Sequence, residues 1–139
     1  MDSINRFKGK NSFLSNFYPV FVYYNGIRFP SVEHAFQAAK SLDIEEQKLF
    51  AITPSATEAK KWGKSVKLRP DWENVKVDIM ETLLRQKFSY PELKSKLLET
   101  GNVTLVEGNT HGDKFWGVVG NEGQNILGRL LMKIREEMR

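Results

Sequence analysis

The sequence predicts an α+β fold in which helices dominate and the sheet is small. Three observations carry this: an Asn-Gly hairpin signal near the N-terminus, a succession of capped segments at helical spacing, and a short β-like run before a glycine-rich stretch. With 139 residues the chain has the length of one ordinary domain, and it shows no internal repeat, low-complexity tract or linker-like shift in composition. We therefore expect a single compact domain over residues 1–139.

The elements follow in order. Phe21-Val22-Tyr23-Tyr24 and Ile27-Arg28-Phe29 flank Asn25-Gly26, a pair that accepts the positive φ angles of a type I′ turn, which predicts a small antiparallel hairpin. Ser31 is placed as the N-cap of a helix over residues 31–42. Asp43-x-x-Glu46 and Ser55-x-x-Glu58 each have the capping-box pattern, so two short helices should flank Pro54. Residues 71–88 carry Trp72, Val75, Ile79, Met80, Leu83 and Leu84 at helical spacing and form the best amphipathic helix of the chain. Ser89-Tyr90-Pro91-Glu92 opens another helix, which should stop at Gly101. Residues 103–107 read as a strand, and residues 108–123 as a glycine-rich loop. Asn121-x-x-Gln124 then caps a last helix bearing Ile126, Leu127, Leu130, Leu131 and Ile134.

Composition narrows the functional classes. Hydrophobic residues make up 40% and charged residues 27%, values of a globular chain and not of a disordered tail. There is no cysteine, which excludes disulfides and thiolate metal sites and suits a reducing compartment. With His34 and His111 as the 2 histidines, a metal site would have to lean on carboxylates, and none is expected. No apolar run approaches the roughly 20 residues that span a bilayer, and the N-terminus lacks an apolar leader, so a cytoplasmic protein without a membrane partner is expected. The formal charge is +4, with Lys60, Lys61, Lys64, Lys67 and Arg69 gathered within ten residues. Such a cluster either receives phosphate or nucleic acid or is a solvated helix face.

Four segments can carry chemistry. On a helix Glu33, Gln37 and Lys40 fall at i, i+4 and i+7, a polar stripe opposite Val32, Ala35, Phe36 and Ala39. Periodicity alone favours an ordinary solvent face with a Glu–Lys pair, worth only about 0.3–0.5 kcal/mol. His34 by itself reads as a hydrogen-bonded structural histidine. Glu107-Gly108-Asn109-Thr110-His111-Gly112-Asp113-Lys114-Phe115-Trp116-Gly117 places two acids and an indole on a loop, as binding residues often are, although a β-turn with Trp116 in the core accounts for it equally. Leu14-Ser15-Asn16-Phe17-Tyr18-Pro19 fits a local side-chain turn or a loop offering amide and hydroxyl groups to a sugar or base. Residues 120–128 lead into a helix N-terminus able to hold an anion, without the spacing of a nucleotide loop.

Taken together these segments resemble the NADAR superfamily. The resemblance rests on Leu14-Ser15-Asn16-Phe17-Tyr18-Pro19, on Ser31 to Lys40, and on Thr100-Gly101 followed by Leu105-Val106-Glu107. Asp113-x-x-Trp116-Gly117 and Gly123-x-Asn125-x-Leu127-Gly128-x-Leu130-Leu131-Met132 complete it. These five motifs occur in order, and the resemblance runs from about residue 4 to residue 135. The resemblance implies N-glycosidase activity on phosphorylated ribosylamino-pyrimidine intermediates of riboflavin synthesis. Alternatives within it are removal of ADP-ribose from guanine in DNA, and non-catalytic binding of NAD or ADP-ribose. It implies a pocket shared by the N-terminal loop, the Glu33 helix and the Asp113–Trp116 loop, with no cofactor.

Cleavage of a ribose C1–N bond passes through an oxocarbenium-like state, which needs negative charge near C1 and a proton for the departing nitrogen. On that chemistry Glu33 stabilises the cation or orients water. Asp113 is the second carboxylate. Lys40 holds a phosphate or attacks the opened ribose as a Schiff-base amine. Trp116 stacks on the base or walls the sugar, and Lys64 takes phosphate. Ser15, Asn16, Phe17, His34, Gln37, Gly117 and Asn125 complete the expected binding set.

Overall fold

In the computed structural model, which describes residues 2–139, six α-helices and one 3-10 helix accompany four short strands. The chain divides into two compact units, one formed by Asn16–Lys87 and the other by the remaining described residues.

The Asn16–Lys87 unit begins with the hairpin. Strands β1 (Ser3–Ile4, in the other unit) and β2 (Val22–Tyr24) come first in the chain, and β3 (Ile27–Phe29) pairs antiparallel with β2. Asn25 and Gly26 both have positive φ, 53° and 77°, as a type I′ turn requires. Gln86 satisfies the β2 edge with both ends of its amide, accepting from Tyr23 N at 2.7 Å and donating to Tyr23 O at 2.7 Å. Helix α1 (Val32–Ala38) is the hub, packed on the hairpin, α2 (Ile44–Ala51), α3 (Ala56–Gly63) and α4 (Trp72–Lys87). Val32, Ala35, Ala38, Phe29, Phe50, Leu83 and Leu84 have no exposed surface and form the core of this unit.

The caps form largely as expected. Ser31 Oγ accepts from His34 N, Asp43 from Glu45 N and Glu46 N, and Ser55 from Glu58 N. Helix α1 is shorter than the expected 31–42, for a physical reason. Past Ala38 the carbonyl of Lys40 accepts from Arg69 N at 2.8 Å, and that of Ser41 from Gln47 Nε2 at 2.7 Å. The N–H groups of Lys40 and Ser41 turn to Gln37 O and Ala38 O, three residues back, at 3.2 and 3.1 Å, so the last turn tightens and the α-helix stops.

In the second unit β1 pairs in parallel with β4 (Thr104–Leu105), in register Ser3 with Thr104 and Ile4 with Leu105. Helix α5 (Pro91–Glu99) starts with proline in its first turn and ends before Gly101, whose φ is +63°. Helix α6 (Ile126–Glu137) packs on β4 through Leu127, Leu130, Leu131 and Ile134. The expected Asn121–Gln124 cap does not form. Asn125 occupies the N-cap position in a left-handed conformation, and its side chain makes no capping bond. None of the helices is long and apolar enough to cross a membrane among the described residues.

Candidate active site

The solvent-face account of Glu33 and Gln37 fails, because all seven residues of α1 are buried. Helices press on α1 from several sides, so its polar stripe points into protein. Glu33 is 7% exposed and Gln37 5%. One turn apart on the helix, Gln37 Nε2 donates to Glu33 Oε2 at 2.6 Å. Glu33 N donates to Asn16 O at 3.0 Å, which docks the residue 14–19 loop on the first turn of α1. A carboxylate taken from water is costly unless it is hydrogen-bonded, and it is favoured at a helix N-terminus. The Gln37 amide and the position in the first turn of α1 supply both conditions.

Two buried side-chain acceptors of this unit have no hydrogen-bond partner among the described residues: Asn16 Oδ1 and Gln37 Oε1. Asn16 Nδ2 points to Met80 Sδ at 3.6 Å, a weak acceptor. An unsatisfied buried polar atom costs about 1–3 kcal/mol, so folding alone does not explain an amide at either position.

Lys40 lies just past the C-cap of α1, half-buried. Burial pushes its ammonium pKa below the ordinary 10.5. The negative charge of Glu33 raises it in part, and the positive charges of Lys60, Lys64 and Lys76 lower it further. One carboxylate and four ammonium groups thus share a field. Lys60 Nζ also stands 6.0 Å over the ring of Phe17, which is 39% exposed. Arg69, grouped with these lysines by sequence, does different work. Its guanidinium pairs with Asp71 at 2.7 Å and donates to Tyr24 Oη at 3.1 Å and Ala39 O at 3.5 Å, bracing the Lys40 turn.

His34 is fixed by its neighbours. Nε2 donates to Thr53 O at 3.0 Å, which makes Nδ1 the acceptor of Ser31 Oγ at 2.6 Å. Burial lowers its pKa and keeps it neutral. Both ring nitrogens are engaged within the protein.

Asp113, Trp116, Gly117 and Asn125 belong to the second unit. Asp113 Oδ1 accepts from Phe115 N at 3.1 Å and Trp116 N at 2.9 Å, while Asn109 holds Asp113 N and O. These bonds make a side-chain turn. Trp116 is half-buried, edge-on to Phe115 with centroids 4.9 Å apart. Gly117 is buried, and a Cβ there would strike Glu107 O and lie 2.7 Å from Asn109 Nδ2. Asn125 clamps β4, Oδ1 accepting from Glu107 N at 3.0 Å and Nδ2 donating to Leu105 O at 2.9 Å. Both ends of its amide are engaged by backbone. The anion site expected at the start of α6 is likewise filled, because Ile126 N and Leu127 N donate to Phe115 O and Trp116 O. Ser15 is half-buried and closes the 3-10 helix Gly9–Leu14, donating its N–H to Ser12 O at 2.9 Å.

A mostly helical α+β chain with a carboxylate–amide pair buried beside a lysine cluster thus defines the protein. Residues 5–139 match the NADAR domain, and the chain belongs to that family. The N-glycosidase YbiA of Escherichia coli (strain K12) is 39% identical over 128 residues, covering 89% of this chain and 79% of that protein. A riboflavin biosynthesis protein of Vibrio vulnificus (strain YJ016) is 37% identical over 132 residues; the match covers 92% of this chain but 36% of the relative. The NMR structure of the Escherichia coli protein YbiA superposes with a TM-score of 0.87 at 36% identity, covering 99% of this chain and 84% of that one.

Proposed function

We propose that the chain is an N-glycosidase that hydrolyses the ribose C1–N bond of phosphorylated ribosylamino-pyrimidines on the riboflavin route. The observation that carries this reading is the Glu33–Gln37 pair, a hydrogen-bonded carboxylate held in the interior at 2.6 Å next to an amine of depressed pKa. The names of the relatives point the same way.

In this mechanism the Glu33 carboxylate lies against C1 as the C–N bond lengthens, stabilises the cation and takes a proton from the attacking water as its oxygen bonds to C1, and that proton passes to the departing nitrogen. Gln37 keeps the carboxylate aimed. Lys60 and Lys64 receive the substrate phosphate, and the exposed ring of Phe17 offers a face to the base. Lys40 has two open roles, electrostatic contact with phosphate or attack on an opened ribose as a neutral amine. The lowered pKa supports the second.

The test is release of the pyrimidine from a ribosylaminopyrimidine phosphate by the purified chain, with ADP-ribosylated DNA and NAD in parallel. Turnover of the first substrate, lost in Glu33→Gln, is expected. Release of ADP-ribose from DNA alone would select the second reading, for which the exposed Lys61, Lys64 and Lys67 supply a basic face. Tight binding without product would leave a binding module.

A further inference from the structure

Gly63 ends α3 in a conformation that does not require glycine. Six glycines of the chain have positive φ, and Gly63 is not among them. In a helix, alanine is the better residue, so local propensity argues against glycine at this place. The reason for glycine lies across the packing of α3 on α1. A Cβ built on Gly63 would overlap Gln37 Oε1 and lie 2.7 Å from Gln37 Cδ and 3.2 Å from Gln37 Cγ. No backbone atom is among these neighbours, so the clash falls on the end of one side chain.

That side chain is the one that holds Glu33. Its oxygen rests on the bare α-carbon of Gly63 with no hydrogen-bond partner among the described residues. Its nitrogen is committed to the carboxylate at 2.6 Å. Reversing the amide would set a carbonyl oxygen against the carboxylate, so one orientation is allowed, and it needs the space that a missing methyl group leaves.

We propose that Gly63 is a positioning residue: its lack of a side chain seats the Gln37 amide, which in turn aims the Glu33 carboxylate. The inference rests on the catalytic reading of Glu33. A methyl group at position 63 displaces the amide and frees the carboxylate to turn, while the backbone stays where it was.

The test is a cycle of Gly63→Ala and Gln37→Ala. Gly63→Ala should lower kcat by roughly tenfold to a hundredfold with a smaller change in KM, because misaiming a reacting group acts on the chemical step. In the Gln37→Ala background the same methyl has nothing to displace, and adding it should change kcat by less than about twofold. Thermal stability of Gly63→Ala should fall, since the overlap and the weakened Gln37–Glu33 bond outweigh the helix propensity of alanine, whereas adding the methyl in the Gln37→Ala background should cost nothing. If Gly63→Ala fails to fold, recovery of a folded double variant supports the same clash. Equal losses in both backgrounds, a parental kcat in Gly63→Ala, or a double variant that stays unfolded would overturn the inference. The side-chain amide resonances of Gln37 give a readout without substrate. They should move toward the positions of an exposed glutamine in Gly63→Ala, and unmoved resonances reject the proposal. Should the parent turn over no N-riboside while these resonances move, the functional reading fails and the positioning role stands.

Discussion

The backbone N–H of Arg69 donates to the carbonyl of Lys40 across 2.8 Å, tying the segment after α3 to the turn that carries the candidate amine. The Arg69 side chain reinforces the tie through Asp71, Tyr24 and Ala39. In Arg69→Met the backbone bond can persist while the guanidinium contacts vanish. We expect a stability loss of about 1 kcal/mol, since Asp71 at the other end of the ion pair is half-exposed and what is lost is chiefly the hydrogen bonds to Tyr24 and Ala39. Activity should fall several-fold with it. Urea unfolding and steady-state kinetics on the same preparation check both, and an unchanged kcat would show that the Lys40 turn needs no brace.

Glu33→Gln keeps the shape and removes the charge. Catalytic carboxylates of this kind contribute on the order of a hundredfold or more, so kcat should drop by at least that much. Stability should not fall, because a buried charge is removed from among helices that pack equally well around an amide. A variant that is both less stable and fully active would return Glu33 to a structural role.

Lys40 makes a pH prediction with a definite sign. A Schiff-base amine reacts when neutral, so kcat should rise with pH through the Lys40 pKa, which lies below 10.5. The positive charge of Lys60 helps to hold that pKa down and the negative charge of Glu33 props it up. Lys60→Met should therefore move the rising limb to higher pH. Borohydride added during turnover should trap a covalent adduct on Lys40. An active Lys40→Ala variant with no adduct in the parent would leave the phosphate role.

The sequence and the structure agree best where one residue type answers a local demand. Ser31, Asp43 and Ser55 were legible as caps because an N-cap needs an oxygen and little else. The Asn25-Gly26 turn was legible because positive φ narrows the choice. Glu33, Gln37 and Lys40 were legible as one polar stripe, but periodicity alone favoured a solvent face, since it shows which residues share a face and not what covers it. Only long-range packing on α1 reveals that this face is interior. Residues 103–107 were legible as a strand, but its partner β1 lies about a hundred positions away and is too short to carry periodicity, so the pairing was not. Asn125 belonged to the family pattern, yet its side chain serves the backbone of residues 105 and 107. A motif records that a residue type is required and is silent on whether ligand or fold requires it. Gly63 lay outside every motif, because a missing side chain signals only through the neighbour it admits.

His34 sets the acid side of the stability profile. Its folded pKa lies below the unfolded value of about 6.5, so the native state binds fewer protons as pH falls through that range. Its contribution is complete above about 6.5 and is lost as pH drops toward the folded pKa. Melting temperature should decline from pH 7 to pH 5, and His34→Gln, with no imidazole to protonate, should show a flatter profile at lower overall stability. Parallel curves for the two proteins would exclude His34 as the titrating group.

Asn125 decides between a ligand contact and a clamp. Asn125→Ala removes two hydrogen bonds that join β4 and residue 107 to the start of α6, and it leaves a Cβ-bearing residue without a polar side chain at φ 53°. Each net hydrogen bond is worth about 1 kcal/mol, and left-handed backbone costs alanine roughly 1–2 kcal/mol, so a loss of about 3 kcal/mol is expected. Asn125→Gly restores the backbone freedom but not the bonds, and should recover about 1 kcal/mol of that loss. Substrate affinity at a temperature where all three proteins are folded should be unchanged. A raised KM in Asn125→Gly with little change in its urea midpoint would instead place the amide against substrate.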